Sequence, residues 1–408
     1  MDIIKRAEKR VKSAFDEIER IEYLNSKKVL DAFQKYSVNE AHFAPTTGYG
    51  YDDLGRDTLD KIFADVLGAE DALVRQNISC GTHALSLCLT ALAKPNDHIL
   101  CVTGRMYETL EETVGVRGDA YGSLKEIGVT YEQIELTKSG DYDYEKIEKA
   151  LEKKPAIVWM QRSKGYEWRK SILISEMQEA VRFIKSRCDA KIIVDNCYGE
   201  FVEEQEPTQI GADLMAGSLI KNLGGGVAPC GGYVAGTKEC VGRVVNRLYC
   251  PGLGRECGAS LGINKEFYKG LFMAPSAVAN AVKTAILTSA VFEELGLEVC
   301  PSPLEKRTDI IQAIKFNDEQ KMIKYIQGIQ KGSPVDSNVE PQPWEMPGYG
   351  DKVIMAAGAF VSGSSIELSA DAPIKEPYVA FQQGGLTYQY GKIGVEAGIK
   401  NAFGEVML

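Results

Sequence analysis

The sequence predicts an α/β protein, a mostly parallel central sheet with helices on both faces, followed by a C-terminal α+β small domain. Three observations carry this. Short β-branched runs alternate with helical patterns through the first two-thirds of the chain, the pattern changes after about residue 265, and 408 residues exceed what one hydrophobic core usually serves. Strands separated by helices in this rhythm imply a parallel sheet covered on both faces, with ligands bound beyond the carboxyl ends of its strands.

Taken in order, residues 3–24 place Ile3, Ala7, Val11, Ala14, Ile18 and Ile21 three or four apart, which predicts an amphipathic helix needing a partner surface. A loop rich in Gly, Thr and Tyr follows at 45–51 (PTTGYGY). Strands are expected at 72–75, 99–103, 129–134, 156–161, 191–195 and 232–235, with helices at 82–93, 144–152 and 175–186. Beyond 265 come helices at 276–295 and 318–330 and a Pro/Gly-rich loop at 333–350. Short strands at 353–361, 365–369, 378–381 and 386–390 then precede a last helix at 393–403. The expected units are 1–55 (N-terminal helix and arm), 56–270 (large domain) and 271–408 (small domain).

Composition narrows the function. Apolar residues make up 44% and charged residues 25%, the proportions of an ordinary globular chain. The 47 Lys and Arg are scattered among 57 acids for a net charge of −10, which argues against nucleic acid. Charges at nearly every turn of residues 1–14 and no apolar run of spanning length read as a cytoplasmic chain with no membrane partner. Ten dispersed cysteines without a CxxC pair read mostly as buried thiols, with no disulfide framework and no metal site expected.

The chemistry is expected at strand ends. Asp195 is the first charged group after the buried run 191–194, in VDNCYGEF, and a carboxylate there is desolvated unless it meets a cation. Lys221, in AGSLIKNLGGG, has no acid nearby in sequence, and burial should lower its pKa toward nucleophilic values. Ser218 can reach the same side. Alone, Asp195 can also be a turn cap, and Lys221 reads more readily as a solvated loop lysine. Together, 26 positions apart and each near a strand end, they are what pyridoxal 5'-phosphate (PLP) requires: an amine for a Schiff base and an acid that keeps the ring nitrogen protonated. The segment NISCGTHALSL offers the phosphate a Gly-containing helix start at Ser79, Cys80, Gly81 and Thr82, free of negative charge. Tyr107, in GRMYETLEE, is an aromatic at a strand end that could stack on the ring.

The order of SCGTHA, MYETLEE, VDNCYGEF and SLIKNLGGG resembles the fold-type I PLP enzymes of the cystathionine and methionine lyase superfamily. The nearest resemblance is to the methionine γ-lyase-like group labelled aluminium-resistance or cystathionine β-lyase-like proteins. PGLGRECGASLG, GGVAPCGGYVAG, GSSIELSADAPIKEPY and QGGLTYQYGKIGVEAGI extend it from about residue 40 to the C-terminus. The resemblance implies the aspartate-aminotransferase-like PLP fold, with Lys221 as Schiff-base lysine, Asp195 as pyridinium partner and Tyr107 as stacking aromatic. It implies phosphate contacts from Gly81, Thr82 and Ser218. It also implies a homodimer as minimal active unit, assembling as a homotetramer, in which Tyr49 or Tyr51 of the arm reaches the neighbour's phosphate. Members of the superfamily have an Arg soon after that Tyr; here Asp52 and Asp53 follow, and Arg56 comes later.

Such enzymes usually grip the substrate carboxylate with a small-domain Arg, and this chain has no Arg after Arg307. Lys375, Arg162 and Arg169 are the cations left to try, with Tyr166 and Glu167 in the same loop as Arg162. The activity implied is that of a PLP-dependent lyase eliminating a β- or γ-substituent from a sulfur-containing or related amino acid. Another PLP reaction, an aminotransferase or racemase, and a non-catalytic PLP-binding protein stand as alternatives.

Overall fold

A computed structural model describes residues 3–118, 121–346 and 350–404. The N-terminal segment forms α1 (Ile3–Arg10) and α2 (Lys12–Lys35), so the single helix expected over 3–24 is broken at Val11 and runs on past 24. Then come α3 (Leu54–Leu67), β1 (Asp71–Arg75), α4 (Gly81–Leu92), β2 (His98–Cys101), α5 (Glu111–Val114), β3 (Thr130–Gln133), α6 (Tyr144–Leu151), β4 (Ile157–Gln161), α7 (Ile174–Lys185) and β5 (Lys191–Asp195). β6 (Leu214–Ser218), β7 (Gly232–Gly236) and α8 (Lys238–Leu248) complete the large domain. β6 has no counterpart among the expected strands, because LMAGS lacks β-branched residues.

These strands form a seven-stranded sheet in the order β1-β7-β6-β5-β4-β2-β3. Pairs from β3 through β6 are parallel, while β7 runs antiparallel to both β6 and β1. The buried runs supply both cores by alternation: Val158, Met160, Ile192 and Val194 enter one hydrophobic cluster, and Ile157, Trp159 and Ile193 the other. This parallel arrangement gathers the ends of β4, β5 and β6 on one edge, where Asp195 and Ser218 are the last residues of their strands.

α9 (Asn264–Glu294) leads out of the large domain, so the boundary expected at 270/271 falls inside it. By length and composition this helix could cross a membrane, contrary to the sequence reading, yet 72% of its most apolar window is buried inside the protein. It is a core spine. β8 (Glu298–Cys300), β9 (Ile311–Lys315), α10 (Glu319–Lys331), β10 (Val353–Ala356), β11 (Ser369–Pro373), β12 (Val379–Gln383) and α11 (Tyr388–Phe403) follow. Five strands pair antiparallel in the order β10-β11-β12-β9-β8. The strand expected at 386–390 is instead the start of α11, where Thr387 caps the helix by accepting from the Tyr390 N–H. The Pro/Gly-rich loop at 333–350 lies within the described residues except for 347–349.

The turn after Lys221 docks on α9 through two glycines. A Cβ on Gly270 would lie 2.6 Å from the Gly224 carbonyl oxygen, and one on Gly225 2.5 Å from that of Gly270. The cysteines are less buried than expected: Cys88, Cys101, Cys197 and Cys240 are buried, while Cys80 and Cys250 are exposed.

Candidate functional site

Asp195 ends β5 with only 4% of its surface exposed. Its Oδ1 accepts from the Cys197 N–H at 3.0 Å. Burial pushes its carboxyl up, opposed first by the charge of Lys221. Among the described residues no ion pair joins the two, so each feels the other's charge across a gap. Lys221 follows β6, and its Nζ lies 4.2 Å from the centre of the Tyr198 ring.

The expected depression of the Lys221 pKa does not occur. Burial does act in that direction, but Cys197, Tyr198, Asp195 and Glu200 outweigh it and hold the amine above the ordinary lysine range. These acids are remote from Lys221 in sequence. The parallel pairing of β5 with β6 brings their segment beside it.

Tyr198 was not singled out in the sequence, although it stands in VDNCYGEF three residues after Asp195. Its backbone has φ +71°, a costly conformation for a bulky residue, and its hydroxyl accepts from Ser365 Oγ of the small domain at 3.0 Å. The ring so placed stands against the amine.

The helix start of α4 reaches the same place. A Cβ on Gly81 would lie 3.4 Å from both Cys197 Sγ and Ser218 Cβ, which sets the α4 N-terminus against the ends of β5 and β6. Cys80 caps this helix, accepting from the His83 N–H at 3.4 Å. No acid stands in the first turn, so its positive end, roughly half an elementary charge, is open to an anion. Ser218 is buried, its Oγ accepting from the Ile220 N–H. Thr82 Oγ1 is 2.8 Å from Thr109 Oγ1, which ties the helix to the turn carrying Tyr107. Tyr107 itself stands by the end of β4, near Gly165. Lys221, Asp195, Gly81, Ser218 and, through Thr82, Tyr107 are therefore gathered around one edge of the sheet.

The three expected cations are engaged by other groups. Arg162 is fully buried, but its guanidinium is committed to Thr308 Oγ1, Asn196 Oδ1, Glu206 Oε2 and Glu203 Oε1 at 2.8–3.2 Å. It braces the framework and has no fork left for a carboxylate. Lys375 is 58% exposed and pairs with Asp351 at 3.1 Å, where the link from β11 to β12 meets solvent. Arg169 donates to the carbonyl oxygens of Ser163 and Lys170. Tyr49 and Tyr51 stack on each other at 5.5 Å, and both are more than half exposed. Arg56 holds their loop in place, donating to the Gly50 and Gly258 carbonyls at 2.7 Å.

Across from Lys221, the small domain presents Asp371 on β11. Its carboxyl is buried and pushed up to about 7 by that burial, against hydrogen bonds from Gln383 and Tyr166 and the charge of Lys221. Sequence reading missed it because the strand there was expected to end at residue 369.

Known proteins share this architecture. The chain is 51% identical over 378 residues, 92% of its length and 90% of the relative's, to the uncharacterized protein YnbB of Bacillus subtilis. A solved carbon-sulfur lyase involved in aluminum resistance from Clostridium novyi NT is 48% identical and superposes with a TM-score of 0.94, covering 97% of this chain and 94% of that one. The pyridoxal-5'-phosphate-dependent protein YhfS from Escherichia coli, 15% identical, matches with a TM-score of 0.62 over 94% of this chain and 96% of that one. That likeness concerns the fold, which is the one the sequence resemblance implied. The family model for methionine gamma-lyase matches residues 1–403, and the chain belongs to that family.

Proposed function

We propose that this protein is a PLP-dependent carbon-sulfur lyase, which removes a sulfur substituent from Cβ or Cγ of an amino acid. The observation that carries the reading is a buried Asp195 that feels the charge of Lys221, beside an α4 N-terminus that has no acid in its first turn and that Gly81 lets pack against the ends of β5 and β6. The donor set fits PLP, with an amine for its carbonyl carbon, an acid for its ring nitrogen, and N–H groups with a hydroxyl for its phosphate. The cofactor, when bound, would supply an electron sink for the carbanion left after loss of the α-proton.

The chain's own residues would do the rest. Lys221 Nζ would bind the cofactor and, once released by the substrate amine, take the α-proton. Asp195 would keep a proton on the ring nitrogen, a task suited to a carboxylate that burial leaves short of cations. Gly81, Thr82 and Ser218 would hold the phosphate, Cys80 fixing the helix start by its cap. Tyr107 would lie against the ring. Tyr49 or Tyr51, exposed on an arm that Arg56 pins, would complete the site of a second copy.

The test is direct. Protein reconstituted with PLP should absorb in the visible region, and Lys221→Ala should lose that absorbance. Asp195→Asn should keep part of the cofactor but lose at least about 100-fold in turnover, in line with loss of a proton-holding group. Sulfur amino acids should yield a 2-oxo acid, ammonia and a thiol. Unchanged absorbance in Lys221→Ala sinks the assignment, and amino transfer that depends on an added keto acid replaces lyase with aminotransferase.

A further inference from the structure

Where a cation would meet a substrate carboxylate, the small-domain wall of the site presents a buried carboxyl, that of Asp371. Register pairs Ser369 with Gln383 and Asp371 with Phe381 across β11 and β12, so these four side chains share one face of the five-stranded sheet. That face looks toward Lys221. Phe381 packs 5.2 Å from the Tyr166 ring, and its cluster includes Tyr198, whose ring carries the Lys221 amine.

Asp371 is 6% exposed, and Gln383 Nε2 donates to its Oδ2 at 2.7 Å. Tyr166 also stands close enough to draw this carboxyl down, but Oδ1 makes no hydrogen bond of ordinary geometry among the described residues, and neither does the Oγ of buried Ser369. A buried carboxylate oxygen without a donor is costly. Among the described residues, Lys221 is the cation whose charge acts on it. No Arg occurs after Arg307, and Lys375 is engaged in solvent with Asp351. A side chain ending in a carboxylate would be repelled by this wall, whereas one ending in an ammonium would complete it.

We propose that the Asp371-bearing face of the small-domain sheet selects amino-acid substrates whose side chain ends in a protonated amine, bound by Asp371 Oδ1. This rests on the lyase reading above and deepens it by naming the substrate class. The PLP-loaded protein is titrated calorimetrically with S-(2-aminoethyl)-L-cysteine, S-(carboxymethyl)-L-cysteine and S-propyl-L-cysteine, and thiol release from each is followed separately with a thiol-reactive dye. The aminoethyl compound should bind roughly tenfold or more tighter than the other two, the gain expected of one charge-assisted hydrogen bond. In Asp371→Asn that advantage should vanish.

Equal affinities in the wild type, or tighter binding of the carboxymethyl compound, overturn the proposal without any variant. An equal loss for all three ligands in Asp371→Asn also overturns it, because the carboxylate then serves Lys221 and not the substrate side chain. Thiol release from none of the three counts against the lyase reading alone, and the affinity ratio still decides the role of Asp371.

Discussion

Glu200 lies beneath the site with none of its surface exposed; its Oε1 accepts from the Tyr233 hydroxyl at 2.7 Å, and Oε2 has no partner among the described residues. Burial pushes its carboxyl up to about 8, helped by Glu206 and opposed by Tyr233 and Lys221. Folded Glu200 therefore keeps its proton through the neutral range, while the unfolded chain loses it near the ordinary glutamate value of about 4.3. The folded state binds the extra proton in that window, so this group's contribution to stability falls as pH rises and levels off above the folded value. Glu200→Gln keeps an acceptor for Tyr233 and removes the titration. Relative to wild type it should gain about 2–3 kcal/mol between pH 6 and pH 9, read from unfolding free energies at the two pH values. A difference between the two proteins that does not change with pH would refute this.

The same scale shows what the sequence could convey. Asp195 and Lys221 were legible because their signals are local: an acid closing a buried apolar run, and a lysine set among apolar residues and glycines. The state of Lys221 was not legible, since the groups that hold its amine up come from the β5 side of the sheet. Tyr198 and Glu200 stood in the same short segment as Asp195, but their roles depend on a backbone at φ +71° and on contacts from β7 and the small domain.

Among the elements, Arg162 does the joining. It follows β4, and its guanidinium meets Asn196 after β5, Glu206 in the next turn and Thr308 before β9, linking the two domains from a fully buried position. The sequence placed it at a strand end in a stretch expected near the cofactor, but could not show that four acceptors use its donors. Arg162→Ala should destabilise the protein by about 3–5 kcal/mol, since it leaves buried Glu206 without its cation. Arg162→Lys should recover only a fraction, because a single ammonium cannot span the acceptors that the planar fork reaches. Thermal unfolding checks both, and a wild-type midpoint in the alanine variant rules the bracing role out. Strand and helix identities were read well where periodicity was strong, as at β5 and α7. They failed where composition misled: LTYQY is rich in β-formers yet opens α11 behind the Thr387 cap.

Over the whole molecule, the change of pattern near residue 265 marks the passage from the seven-stranded to the five-stranded sheet, with α9 packed against both parts. A sequence carries that division because parallel and antiparallel sheets need different spacing between strands. Surfaces that serve a second copy leave no such trace in periodicity. Tyr49 and Tyr51 are the candidates for such a surface, two stacked aromatic rings turned to solvent on a loop that Arg56 and the Gly258 N–H fasten to the body. Exposed stacked aromatics on a fixed loop are better suited to a neighbour than to water. If each arm completes the site of the other copy, two inactive proteins should rescue each other. Tyr49→Ala/Tyr51→Ala supplies a sound Lys221 and a defective arm, and Lys221→Ala the reverse. Mixed in equal amounts, dissociated and reassociated, they pair at random, and half of the dimers are mixed. Each mixed dimer holds one site with both parts intact, so activity should return to about a quarter of the wild-type value for a two-fold assembly. Activity that stays at the level of the separate variants means that each arm serves its own chain.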